Sequence, residues 1–162
     1  MSRALRHDPE RFGLALDEDG WTSVDALCAA FGATPADVED VVRHGSKQRY
    51  ELAGGRIRAR YGHTLPGRIA LPPAEPPGVL FHGTGAGTAE TILHDGLRPA
   101  GRQYVHLSPN EATARAVGAR HGRPVVLAVD TRAAARAGVV FRRGNEDTWL
   151  ADELDPRYLR RA

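Results

Sequence analysis

Cysteine, methionine and lysine are nearly missing from this sequence: Cys28, Met1 and Lys47 are the only ones. A single cysteine excludes an internal disulfide framework. Cys28 sits in the apolar stretch "VDALCAAF", which predicts a buried thiol rather than a nucleophile. No Cys/His cluster has zinc spacing, so no metal is expected. Long apolar runs are also missing. Nothing approaches the roughly 20 residues of a membrane span, and no signal-peptide pattern opens the chain. A soluble, cytoplasmic protein without a membrane partner is expected. Phosphate-binding glycine loops are absent too: there is no Walker motif, no G-x-G-x-x-G after a strand, and no G-x-S-x-G elbow. Any nucleotide must be held by another architecture. Net charge is small, +2 over 162 residues, which argues against strong nonspecific nucleic-acid binding.

Arginine, by contrast, is plentiful: it supplies every one of the 22 basic residues except Lys47. A guanidinium forms paired hydrogen bonds to phosphate or carboxylate in a rigid fork, which an ammonium cannot. A GC-rich genome explains the arginine count, but not where particular arginines fall. The apolar fraction, 41%, suffices for a core. The length fits one ordinary domain or two small ones. The stretch "TLPGRIALPPAEPPG", residues 64–78, holds five of the eleven prolines and reads as a linker between lobes at 1–63 and 79–162.

The first lobe reads as helices followed by a hairpin. "MSRALRH" looks like a helix end, placing Arg6 and His7 side by side. "TSVDALCAAFG" has Ser23 as its N-cap and Gly32 as its stop. "TPADVEDVVRHG" has a Thr34 cap, Pro35 at the first helical position, and acidic Asp37 and Glu39 close behind. "KQRYELAGGRIRARYG" reads as two strands around Gly54-Gly55. Helices with a terminal hairpin form a winged-helix pattern.

The second lobe is mixed. "VLFHGT", "YVHLS", "PVVLAVD", "VVFR" and "TWLADEL" read as strands, with "PVVLAVD" central. "TAETILHDG", "NEATARAVGARHG" and "TRAAARAG" read as helices, the last capped by Thr131. No regular βαβ rhythm appears, so the fold class is α+β. Two strands each place one histidine amid apolar residues: His82 before Gly83 and Thr84, and His106 before Leu107 and Ser108. A glycine at a strand end permits close backbone approach and suits a ligand grip.

"LRHDPERFGLALDEDGW", "KQRY", "RYGHT", "LFHGT", "RQYVHLSPNEATARAVGARHGRPVVLAVD" and "TWL" occur in the same order as in the RNA 2′-phosphotransferase family, which the chain resembles over almost its whole length. The resemblance implies a winged-helix-like lobe and an ADP-ribosyltransferase-fold lobe that holds NAD. It implies removal of an internal RNA 2′-phosphate in two steps. The phosphate displaces nicotinamide from NAD; transesterification then releases 2′-OH RNA and ADP-ribose 1″,2″-cyclic phosphate. The implied partners are RNA bearing a 2′-phosphate, such as tRNA, and NAD as co-substrate, and the chain is expected to be a monomer.

The family's catalytic group maps to Arg6, His7, Arg49 and Arg120, with the phosphate expected between the lobes. Its NAD contacts map to His82, Gly83, Thr84, His106, Leu107 and Ser108. Two departures stand out. Thr148 occupies a position that is usually apolar in the family, with Glu146 nearby, and Tyr61-Gly62-His63-Thr64 replaces Gln-Gly-His-Ser. The alternatives are ADP-ribosyl transfer that stops after the first step, and a non-catalytic nucleic-acid-binding module.

Overall fold

The computed structural model describes residues 1–45 and 48–162. Lys47 of "KQRY" lies outside the described residues. The chain forms two compact units: residues 1–71 with 101–103, and residues 72–100 with 104–162. The proline-rich stretch is therefore shared between units rather than free. Ile69 packs on Gly20 in the first unit, while Ala74 donates its N–H to the Phe141 carbonyl (2.9 Å) in the second.

The first unit holds three helices, α1 (Ser2–Arg6), α2 (Val24–Phe31) and α3 (Pro35–His44), and three strands, β1 (Thr22–Ser23), β2 (Tyr50–Ala53) and β3 (Arg56–Ala59). The strands form an antiparallel sheet in the order β1-β3-β2. Local chemistry accounts for the boundaries. The Ser23 hydroxyl accepts hydrogen bonds from the Asp25 and Ala26 N–H groups, and Gly32 ends α2 in the left-handed conformation, φ 61°. Thr34 and Asp37 form a reciprocal capping box at the start of α3. Gly54 and Gly55 both have positive φ, 54° and 72°, as a tight hairpin turn requires. Ala4 and Leu5 of α1 are fully buried with Leu27, Val38, Ile57 and Ala59. Cys28 is buried, as expected.

The second unit contains β4 (Val79–Gly85), α4 (Ala86–Asp95), β5 (Val105–Leu107), α5 (Glu111–Gly118), β6 (Pro124–Asp130), α6 (Thr131–Arg136), β7 (Phe141–Asn145), β8 (Thr148–Ala151) and β9 (Leu159–Arg161). Two antiparallel three-stranded sheets, β4-β6-β9 and β5-β8-β7, share one core built around Leu80, Leu107, Leu127, Val129 and Trp149. The central place of β6 agrees with the sequence. Helices and small antiparallel sheets make this an α+β protein.

Two local expectations need correction. Asp130, not Thr131, caps α6, because its carboxylate accepts from the Ala133 N–H. Thr131 is fully buried, and its hydroxyl donates to the Pro77 carbonyl. The helix expected through "NEATARAVGARHG" stops at Gly118, and Ala119–His121 continues as one 3-10 turn. The final strand β9 pairs with β6, and nothing in the sequence had marked its three residues as a strand.

Candidate active site

Arg6 and His7 occupy the end of α1, and the buried Ala4 and Leu5 anchor that short helix. Two contacts to Thr64 hold the pair. The Thr64 N–H donates to the Arg6 carbonyl (3.0 Å). The Thr64 hydroxyl is hydrogen-bonded to His7 Nδ1 (2.9 Å). Thr64 stands where the resemblance expects serine, and it keeps the hydroxyl that this contact uses. Arg6 also donates to the Ser2 hydroxyl, while its buried Nε has no hydrogen-bond partner among the described residues.

The surroundings of the pair are strongly cationic. Burial, then Arg6, Arg102 and Arg3, push the His7 pKa below its ordinary 6.5, so the ring is neutral at pH 7 with one nitrogen able to take a proton. Arg6 is lowered by burial first, with Arg49 and Arg102 adding repulsion and Tyr50 and Tyr61 opposing it. Arg49 precedes β2, and its carbonyl accepts from the Arg60 N–H (2.8 Å). Three of the four expected catalytic residues thus gather in the first unit. The fourth, Arg120, belongs to the second unit, exposed on the turn after α5.

Sequence reasoning missed three features of this cluster: the Thr64 tether, the proximity of Arg102, and the burial of His63. His63 is 1% exposed, and burial with neighbouring Arg6, His7 and Arg58 lowers its pKa to about 4. "RYGHT" carried the only available signal, and a motif without a contact assigns no role.

In the second unit the two histidine strands meet. Phe81 and Ser108 exchange both backbone hydrogen bonds (2.9 and 2.7 Å), which ties β5 to β4. His82 Nδ1 donates to the His106 carbonyl (3.0 Å), which fixes the tautomer and leaves Nε2 as acceptor. Burial depresses the His82 pKa, with the carbonyl contact opposing and His121 adding to the depression, so this ring is also neutral. Thr84 and Ser108 are buried hydroxyls near this junction.

Gly83 and Leu107 have structural reasons of their own. A Cβ on Gly83 would lie 1.6 Å from the Ala114 carbonyl oxygen; the close approach the glycine permits is that of α5. The Leu107 side chain lies in the core, so only its backbone is available to a ligand. Thr148 opens β8. The Leu107–Trp149 pairing places it one register position further along, towards Ser108. Among the described residues no group of three or more His, Cys, Asp or Glu could hold a metal, and no helix is long and apolar enough to cross a membrane.

Comparison with known proteins matches the chain to a family. Residues 1–153 fit the model of "RNA 2'-phosphotransferase, Tpt1 / KptA family". A protein of Streptomyces griseus named "Probable RNA 2'-phosphotransferase" is 47% identical, covering 98% of this chain and 92% of its own length. Proteins of the same name from Streptomyces coelicolor (47%, 99% of this chain and 91% of its own) and Agrobacterium fabrum (45%, 98% and 89%) are also similar. With its N-terminal Arg-His pair and joined histidine strands, and with a family match over nearly its full length, the chain belongs to the RNA 2′-phosphotransferase family.

Proposed function

We propose that the protein removes an internal 2′-phosphate from RNA in two NAD-dependent steps. In the first, a phosphate oxygen bonds to the anomeric carbon of the nicotinamide ribose and the bond to nicotinamide breaks. In the second, the neighbouring ribose hydroxyl attacks phosphorus, and the RNA 2′-oxygen leaves with a proton. The products are 2′-OH RNA and ADP-ribose 1″,2″-cyclic phosphate. The observation that carries this reading is the Arg6, His7 and Arg49 cluster with its Thr64 tether. Guanidiniums fixed before the reaction stabilise charge that shifts over phosphoryl oxygens. His7 is neutral; in the tautomer whose Nδ1–H donates to the Thr64 hydroxyl, Nε2 can accept the hydroxyl proton in the second step. Arg120 is assigned to the second step by resemblance.

The residues of the β4–β5 junction fit a nucleotide. The fixed tautomer of His82 and the hydroxyls of Thr84 and Ser108 offer an acceptor and two donors for ribose and phosphate, with His106, Gly83 and Leu107 shaping the strand ends. On this reading the first unit is a winged-helix-like lobe and the second an ADP-ribosyltransferase-fold lobe, acting in the cytoplasm as a monomer. The test is incubation of an oligoribonucleotide bearing one internal 2′-phosphate, in chelator-containing buffer, with and without NAD. The expected result is 2′-OH RNA with equimolar nicotinamide, only when NAD is present. No dephosphorylation with NAD, or equal dephosphorylation without it, would overturn the reading.

A further inference from the structure

Arg102 is brought to the first unit from the far side of the linker, in the strip Gly101–Gln103. Gln103 fastens that strip. Its N–H donates to the His63 carbonyl (3.2 Å) and its side-chain amide to the Leu65 carbonyl (3.2 Å). Its amide oxygen accepts from the Ile69 N–H (3.0 Å), and its carbonyl from Arg68 (3.3 Å). The result is a second guanidinium beside Arg6. A Cβ added to Gly62 would lie 2.9 Å from Arg6 Nη1 and 3.4 Å from Arg102 Nη1. Gly62 also has φ +86°, so both backbone and packing demand glycine where the two cations converge.

Among the described residues this convergence has no counter-charge. The nearby carboxylates Asp8 and Glu51 pair with Arg3 and Arg58. Arg6, Arg49 and Arg102 form no ion pair among the described residues. Like charges held together without a carboxylate call for an anionic ligand. Charge and depth distinguish Arg6 from Arg102.

A nucleotide with an internal 2′-phosphate carries two phosphates on adjacent ribose oxygens: the monoester and the 3′,5′-phosphodiester. When the monoester is a dianion their charge is −3, matching three guanidiniums beside a neutral His7. Arg6 is half-buried, beside the histidine, and suits the reacting monoester. Arg102 is exposed, and so open to an RNA backbone. Resting on the function proposed above, we propose that Arg102 grips the 3′,5′-phosphodiester next to the 2′-phosphate, and so selects internal over terminal 2′-phosphates.

Fluorescence anisotropy without NAD tests this with three labelled oligoribonucleotides of one sequence. One carries an internal 2′-phosphate, one a 2′-phosphate on a 3′-terminal nucleotide with a free 3′-hydroxyl, and one none. The wild type should prefer the internal over the terminal phosphate by about tenfold, the value of one charge-assisted contact. Arg102→Ala should bring that ratio near one without weakening the terminal ligand. Arg102→Lys should restore it only in part, since the fork is lost. Arg11→Ala, an equal charge loss at another exposed position of the same unit, should leave the ratio intact. An unchanged ratio in Arg102→Ala, or equal weakening of both phosphorylated ligands, would overturn the role of Arg102 while leaving the proposed function standing. A wild type that cannot tell any 2′-phosphate from unmodified RNA would overturn both.

Discussion

His63 illustrates what a residue's surroundings add to its identity. Its side chain is fully enclosed, Nε2 has no hydrogen-bond partner among the described residues, and the pKa falls to about 4. The folded state therefore resists a proton that the unfolded chain accepts near pH 6.5. This stabilisation is whole above pH 6.5 and is lost as pH falls towards 4, by up to about 3 kcal/mol. His7 and His82, whose pKa values are also depressed, add loss in the same direction. Urea unfolding at pH 7 and pH 4.5 should show the loss, and His63→Asn should flatten it. An equally steep loss in the variant would contradict the assignment. "RYGHT" was legible as a motif, but burial was not: Gly20 lies against the ring and Gln103 binds the His63 carbonyl, both from segments distant in sequence that no local pattern announces. Arg6 and His7 were singled out by resemblance. Alone they read as an ordinary helix end.

At the level of elements, capping chemistry and turn glycines were the most legible features. Ser23, Thr34, Gly32 and the Gly54-Gly55 turn act where local rules place them, because their reasons lie within a few residues. Gly83 is the contrast. Its glycine is required by α5, which packs from thirty residues downstream, so sequence alone left the reason open. The same substitution should then have opposite effects at two glycines nearby in sequence. Gly83→Ala forces a Cβ into backbone atoms of α5 and should cost about 3 kcal/mol or more. Gly87→Ala, in the first turn of α4 with nothing within 4 Å, should stabilise by up to about 1 kcal/mol. Thermal denaturation of the two variants checks the pair. A Gly83→Ala protein as stable as wild type would mean that α5 does not pack as described.

At the scale of the whole molecule, the chain passes from the first unit to the second at Leu71–Pro72, inside the proline-rich stretch. That stretch did not reveal that Gly101–Gln103 returns to the first unit, nor that β9 closes the β4-β6 sheet. Both depend on contacts between segments distant in sequence, and short strands that pair by backbone leave little side-chain pattern. On the function proposed above, the first unit supplies the cationic group for phosphate and the second the paired histidine strands for the nucleotide. The central claim is that phosphorus moves to an ADP-ribose carrier rather than to water. The most direct measurement follows a radiolabel in the 2′-phosphate of an internally phosphorylated oligoribonucleotide through a single turnover with NAD. The account predicts that the label passes from RNA into ADP-ribose cyclic phosphate. Label appearing as inorganic phosphate, or leaving the RNA at the same rate without NAD, would contradict it.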